Sequence, residues 1–318
     1  EPLLRGREIW GDDGLIAFAA RRGAAVNLNT NASLITPRIA LHLVKAGLAK
    51  VHISLDAADP PVQNFLFGGD RLSDVLRGIY NLQLARELAG VSYPEIHTNC
   101  VLTRQNLDLF PELFGFILEK RQRIAARPHP LYHDLFPHVI PVGGQDNAGL
   151  RPSAGEFRRF YEEIWPRVCH RWEEYQKELG IPPEKRGVLF GYFSNPFLRV
   201  AHQGGLDAYL EASAQGHYAR LALPRYCYVA ATQGSFTPDG YQFRCGAHAI
   251  RRALPIGRIG DGNGFFDHLR AGIAGLDELP QEEHCQGCAL ATLYINQTVE
   301  AKLAERLDEL LQTAVVPG

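Results

Sequence analysis

The chain has 318 residues, 46% of them hydrophobic, enough apolar material for one large domain and a smaller one. Its formal charge of −2 makes no electrostatic case for nucleic acid or an anionic membrane as partner. No apolar run approaches the roughly 20 residues that span a bilayer, and no signal peptide opens the chain, so a soluble, cytoplasmic protein is expected.

The chain opens at Glu1-Pro2 with no start methionine, which reads as a fragment truncated at its N-terminus; it also contains no methionine anywhere, which truncation does not explain. Residues 13–128 alternate short apolar strands with amphipathic helices at the spacing of repeated βα units, the pattern of a parallel sheet. Ala24 to Asn29 reads as a strand that ends in Thr30-Asn31. Thr36 is a helix N-cap with Pro37 at the first helical position, and Gly47 stops that helix. In the next strand, Val51 to Leu55, Val51, Ile53 and Leu55 face one way while His52, Ser54 and Asp56 face the other.

A helix from about Ser73 to Leu88 ends at Gly90 and leads to a strand from Ile96 to Leu102. Thr30, Asn31, Ser54, Asp56, Asn99, Thr103 and Asn106 thus fall at or just beyond three successive strand C-termini, where parallel α/β folds build their sites. Leu109 to Arg121 reads as a further helix and Arg123 to Arg127 as a further strand, followed by a loop through His129, His133, His138 and Gly143-Gly144. The histidines, His170 included, lack compact ligand spacing and read as solvated or hydrogen-bonding groups.

Ser153-x-x-Glu156 is a capping box for a long helix towards Leu179, kinked at Pro166. Residues 186–222, rich in Gly, Phe and Tyr, show no clean period and read as a bridging segment or lid. From Tyr226 a cysteine module begins, with a hairpin at Thr237-Pro238-Asp239-Gly240, a turn at Gly257 to Gly264, and a closing helix in which Val299, Leu303, Leu307, Leu310 and Leu311 are expected to pack.

Cys227, Cys245, Cys285 and Cys288 have the character of a metal or iron–sulfur site. Cys245 ends a Gly-x4-Cys turn from Gly240, and Cys285-x2-Cys288 is a clip that lets two thiolates reach one centre. A zinc ribbon normally uses two such clips; here the other pair is separated by seventeen residues, which suits an asymmetric iron–sulfur module better, with zinc the alternative. Cys100 and Cys169 stand alone.

Together these pieces resemble a radical S-adenosylmethionine enzyme with a C-terminal auxiliary-cluster module of the twitch or SPASM type. Glu1-Pro2-Leu3-Leu4 is similar to the tail of the family's Gly-Gly-Glu-Pro motif, and Asn29-Thr30-Asn31-Ala32 with Leu34-Ile35-Thr36-Pro37 to its "TNGTLLTP" strand end. His52-Ile53-Ser54-Leu55-Asp56 resembles the "SLDG" strand end, and Asn99-Cys100-Val101-Leu102-Thr103 with Asn106 the strand after it.

The resemblance implies an α/β fold: a partial (β/α)6 TIM-like barrel lacking its first units, plus a small α+β cysteine-ligated module. The segments would be a barrel over 1–185, a bridge over 186–225 and the module over 226–318. It further implies S-adenosylmethionine held by Glu1, Pro2, Thr30, Asn31, Ser54, Asp56, Asn99 and Val101, and an auxiliary [4Fe–4S] cluster on Cys227, Cys245, Cys285 and Cys288. The family's radical-generating [4Fe–4S] cluster sits on a Cys-x3-Cys-x2-Cys loop that no cysteines here form, and in relatives this loop precedes the Gly-Gly-Glu-Pro motif. Ala32 and Ala57 replace turn glycines, and Tyr294 stands where a full SPASM pattern has cysteine, which favours the single-cluster twitch form.

The implied reaction is reductive cleavage of S-adenosylmethionine and hydrogen abstraction from a peptide, protein or small-molecule substrate. The auxiliary cluster would accept an electron, and flavodoxin or ferredoxin would be the donor. The rival expectation is a non-catalytic iron–sulfur or zinc protein serving electron transfer or scaffolding.

Overall fold

The computed structural model describes residues 1–125, 136–141, 149–186, 205–215, 227–228, 234–264, 267, 270, 296, 298–307 and 309. The chain divides into two compact units, Glu1–Val142 with Arg158–Gly191, and Gly143–Phe157 with Tyr192–Gly318.

In the first unit a 3-10 turn at Pro2–Arg5 and two short helices, α1 (Arg7–Trp10) and α2 (Leu15–Ala20), lead into β1 (Asn27–Thr30). There follow α3 (Pro37–Lys45), β2 (Lys50–Ser54), α4 (Pro60–Phe67), α5 (Leu72–Ala89), β3 (Glu95–Leu102), α6 (Phe110–Ala125) and β4 (Phe136–Pro141). The four strands form a parallel sheet in the order β1-β2-β3-β4. A parallel neighbour must be reached by a crossover, and every crossover here runs through helix, as the alternating periods require. In β2, Val51 and Ile53 are fully buried while His52 and Ser54 are only half-buried, the alternation expected of a strand with two unlike faces.

Helix starts follow local chemistry. Thr36 Oγ1 accepts a hydrogen bond from Ile39 N ahead of Pro37, and Asp59 Oδ1 accepts one from Val62 N ahead of Pro60-Pro61. Gly90 ends α5 in the left-handed conformation with φ 64°.

The strand expected at Arg123 to Arg127 is not one: Arg123, Ile124 and Ala125 continue α6. Leu118-Glu119-Lys120-Arg121-Gln122-Arg123 is a run of good helix formers with no stop signal before Pro128, so propensity carries the helix onward. The fourth strand lies later, where a histidine-containing loop was expected, and includes His138 in register with Asn99. Its two prolines, Pro137 and Pro141, lack the N–H of a ladder and hid it; they are tolerated because β4 is last in the order of described strands.

The long helix expected from Ser153 towards Leu179 is interrupted as its proline demands. α7 (Ala154–Arg159) passes through a π-helical turn at Phe160–Ile164 into α8 (Trp165–Glu178), whose second residue is Pro166. Proline has no N–H for the i−4 carbonyl and its ring presses on that carbonyl, so one wider turn absorbs the misfit. The capping box forms: Ser153 Oγ accepts from Glu156 N at 3.2 Å while Glu156 Oε2 accepts from Ser153 N at 2.7 Å. α6 and α8 meet through Phe110, Phe114, Phe160, Trp165 and Trp172, with ring centroids 5.7–6.3 Å apart in the cross-helix pairs.

In the second unit, β5 (Ser235–Phe236), β6 (Tyr241–Phe243) and β7 (Pro255–Arg258) form a small antiparallel sheet. The expected hairpin is present: Gly240 takes φ 86° and donates to Thr237 O at 2.8 Å. A helix over Gly205–Gln215 lies inside the stretch expected to be a bridge without regular structure. The closing helix forms through Leu307, but Leu303 and Leu307 are 52% and 57% exposed rather than packed. Their i, i+4 spacing is enough to shape the helix without any described element covering it. No helix of the described residues is long and apolar enough to cross a membrane.

Candidate functional site at the strand ends

Parallel register brings the sequence-derived candidates to neighbouring strand ends. Thr30 pairs with Ile53, one residue before Ser54, and Ser54 pairs with Asn99. Two hydrogen-bonded knots then fix the rim.

The first knot joins the chain's opening residues to the end of β1. The Glu1 carboxylate accepts from Thr30 Oγ1 at 2.8 Å, Asn31 N at 2.9 Å and Leu3 N at 3.1 Å. Pro2 sits at the start of the 3-10 turn that holds Glu1 there. Thr30 Oγ1 accepts in turn from Ala32 N at 3.0 Å, and Asn31 Oδ1 accepts from Ser33 N and Ser33 Oγ at 3.0 and 2.8 Å. Ala32 itself is fully buried at φ 60°, a left-handed conformation that explains why glycine would suit the position.

The second knot surrounds Asp56. Its Oδ1 accepts from Val101 N at 2.7 Å, linking the end of β2 to β3, and its Oδ2 takes no hydrogen bond from the described residues. Asn106 Nδ2 donates to Asp56 O at 2.8 Å and Val101 O at 2.9 Å, while Asn106 Oδ1 accepts from Thr103 N and Thr103 Oγ1. Gln63, reaching back from α4 and fully buried, accepts from Asp56 N at 2.9 Å and Ala57 N at 2.7 Å. Asp56 is thereby held by its amide, its carbonyl and one carboxylate oxygen, with the other oxygen left for a ligand.

Burial pushes the Asp56 carboxyl up from its ordinary 3.8 to about 6, against the Val101 N–H, which favours the charged form. Burial raises the thiol pKa of Cys100 well above the ordinary range, with the negative Asp56 adding to it. Cys169 is pushed up to about 11 by burial. Burial thus favours the thiol over the thiolate at both of these solitary cysteines. Beneath the rim, His52 and His97 pair in register with ring centroids 5.0 Å apart; burial lowers both pKa values, and the Asn99 side chain hydrogen-bonds His52.

Sequence reading missed three residues that shape this rim. Gln63 gave no local signal, since its partners lie six and seven residues back across a Pro-Pro turn. Asn81 Nδ2 on α5 donates to Ile35 O at 2.7 Å, a contact 46 residues away in sequence. Gly78 lies mid-helix in α5, where an added Cβ would come 2.3 Å from Ala32 O; an isolated glycine inside a helical pattern was the available signal.

Of the four candidate ligand cysteines, Cys285 and Cys288 lie outside the described residues. Cys227 Sγ is 3.8 Å from Asn296 Nδ2, a fully buried amide that donates to it, and Cys245 caps the helix over Gly246–Arg251 in an extended conformation. The stretch Phe190 to Phe197 also lies outside the described residues.

No protein-family model matches the chain. Among curated proteins it is 28% identical over 144 residues to the mycofactocin maturase MftC of Mycolicibacterium smegmatis, covering 43% of this chain and 34% of that protein. It is 32% identical over 105 residues to the tungsten-containing aldehyde ferredoxin oxidoreductase cofactor-modifying protein of Pyrococcus furiosus, covering 33% and 29%. The chain thus spans about a third of the length of these relatives. Among solved structures, SuiB of Streptococcus suis bound to S-adenosylmethionine matches with TM-score 0.52 and 16% identity, over 88% of this chain and 56% of that one. A histidine-tagged anSMEcpe with bound AdoMet matches with TM-score 0.50 and 16% identity, over 85% and 64%. At that identity the structural likeness concerns the fold.

Proposed function

We propose, from the premise that this chain is related to the radical S-adenosylmethionine enzymes of the SPASM-type maturase group, that it is the S-adenosylmethionine-binding and auxiliary-cluster part of a maturase. Its parallel sheet is read as part of a (β/α)6 TIM-like barrel that lacks its first units. The carrying observation is the Asp56 clamp, which leaves one carboxylate oxygen of a half-buried, fully positioned aspartate at a parallel strand end.

The donor set suits S-adenosylmethionine, an amino acid joined to a sugar and a base. Asp56 Oδ2 accepts hydrogen bonds from sugar hydroxyls, Ser54, Asn99 and the Val101 backbone line the neighbouring strand ends, and Thr30 and Asn31 present the loop after β1. Glu1, whose carboxylate already takes three donors, together with Pro2 holds that loop in place. When bound, the cofactor with its own [4Fe–4S] cluster supplies hydrogen-atom abstraction from an unactivated carbon. The chain's task is to orient it and to keep water out. Cys227, Cys245, Cys285 and Cys288 would hold the auxiliary [4Fe–4S] cluster as an electron acceptor. The substrate is read as a peptide or protein, with a small molecule the other class, and the electron donor as a flavodoxin or ferredoxin.

Titration with S-adenosylmethionine tests the rim. Asp56→Ala is expected to weaken binding about ten- to a hundredfold, the worth of a hydrogen bond to a charged group, while iron content of the cysteine module stays unchanged. In the unaltered protein affinity should fall as pH drops through about 6, where Asp56 takes up its proton. Equal affinity for Asp56→Ala and the unaltered protein would remove Asp56 from the site.

A further inference from the structure

We propose that Arg151 is the anchor of an oxyanion site in the second unit, taking a carboxylate of the substrate. Arg151 lies ten residues beyond Pro141, in the connection that leaves the C-terminal end of β4. It is only 6% exposed, and its Nη1 donates to Gln215 O at 2.6 Å, at the C-terminal end of the helix over Gly205–Gln215. Gln215 is the last described residue of that helix and its carbonyl is a neutral acceptor, so this contact holds the guanidinium in place without neutralising it.

The other donors are idle. Nε and Nη2 are both shielded from solvent and have no hydrogen-bond partner among the described residues, and no carboxylate of those residues pairs with the group. A guanidinium stays charged at any pH a protein survives, so a proton cannot be lost to relieve the burial. Leaving a buried charged donor unpaired is among the costlier arrangements a fold can hold, which points to a partner that arrives with a ligand. Nε and Nη2 share one edge of the planar group and present two parallel N–H bonds, the fork that two carboxylate oxygens accept side by side. One guanidinium balances one negative charge, which suits a carboxylate; a phosphate dianion would leave charge over. That the carboxylate belongs to the substrate, at a peptide's C-terminus or on its acidic side chain, rests on the maturase reading above; the anion site itself does not.

The test is the Nε–H resonance of arginine in protein labelled with 15N-arginine, titrated with sodium acetate, inorganic phosphate or sodium chloride at constant ionic strength. Among the described residues two arginines are buried, Arg151 and Arg86, and Arg86 donates to Pro94 O. Acetate is expected to move the Arg151 signal saturably and leave that of Arg86 in place, with phosphate at least tenfold weaker and chloride without effect. Acetate should also raise the melting temperature of the unaltered protein but not of Arg151→Lys, which keeps the charge and loses the fork. An Arg151 signal unmoved by acetate, or moved as much by chloride, overturns the site, and a preference for phosphate overturns the carboxylate assignment. The resonance decides even where the variant does not fold. Saturation by acetate without any S-adenosylmethionine binding would keep this site and remove the radical reading; the converse would remove this site alone.

Discussion

Gly78→Ala is expected to destabilise the protein by about 3 kcal/mol, the upper range for forcing one extra methyl into a packed interior. The added Cβ would stand 2.3 Å from Ala32 O, 3.1 Å from Ala32 Cβ and 3.2 Å from Ala32 C. Backbone is the obstacle, so no side-chain rotation relieves it. Ala32 cannot retreat either, because its N–H is bonded to Thr30 Oγ1, its carbonyl accepts from Ile35 N at 3.0 Å, and Asn81 holds Ile35 O from the same helix. The loop after β1 must shift or α5 must move off it. Denaturant unfolding of Gly78→Ala against the unaltered protein measures the cost, and a difference within about 0.5 kcal/mol, the ordinary scatter of surface substitutions, would mean that α5 does not seat on this loop.

This contact also marks the limit of what the sequence discloses. The first three βα units were legible because apolar spacing changes from two to about four between strand and helix, and because Thr36-Pro37 and Gly90 punctuate them. The rim residues were legible for the same reason, since strand ends can be counted along the chain. What holds the rim was not. Gln63, Gly78 and Asn81 act on backbone atoms that only tertiary packing brings to them, and no local period records such a partner. β4 was lost to its prolines, and the outward-facing Leu303 and Leu307 show that an apolar stripe predicts a helix more surely than it predicts what covers it.

The pH dependence of stability is the second large effect expected. Asp56 has a folded pKa of about 6 against an ordinary 3.8, so the folded state binds this proton more tightly than the unfolded one. The associated stability is fully present below about pH 4 and is lost as pH rises through 6. The gap between those two pKa values corresponds to about 3 kcal/mol. Asp56→Asn keeps an oxygen for Val101 N and carries no charge to bury. Relative to the unaltered protein it should therefore gain about 3 kcal/mol on going from below pH 4 to above pH 7. Denaturant unfolding of both proteins across that range checks the sign as well as the size; parallel profiles would show that the carboxyl is not desolvated in the folded state. The gain in stability should accompany weaker S-adenosylmethionine binding, since a neutral amide replaces the accepting carboxylate oxygen.

Under the proposed function this chain is part of a protein that cleaves S-adenosylmethionine. None of the chain's six cysteines forms a Cys-x3-Cys-x2-Cys loop, so the 318 residues alone should release no 5′-deoxyadenosine. The decisive measurement is 5′-deoxyadenosine release by the product of the entire gene, assembled anaerobically with iron and sulfide, reduced with dithionite and supplied with S-adenosylmethionine. Release is expected to depend on the reductant and to fall in Asp56→Ala. No release from protein whose iron–sulfur clusters are assembled would contradict the proposed function and favour the non-catalytic iron–sulfur reading.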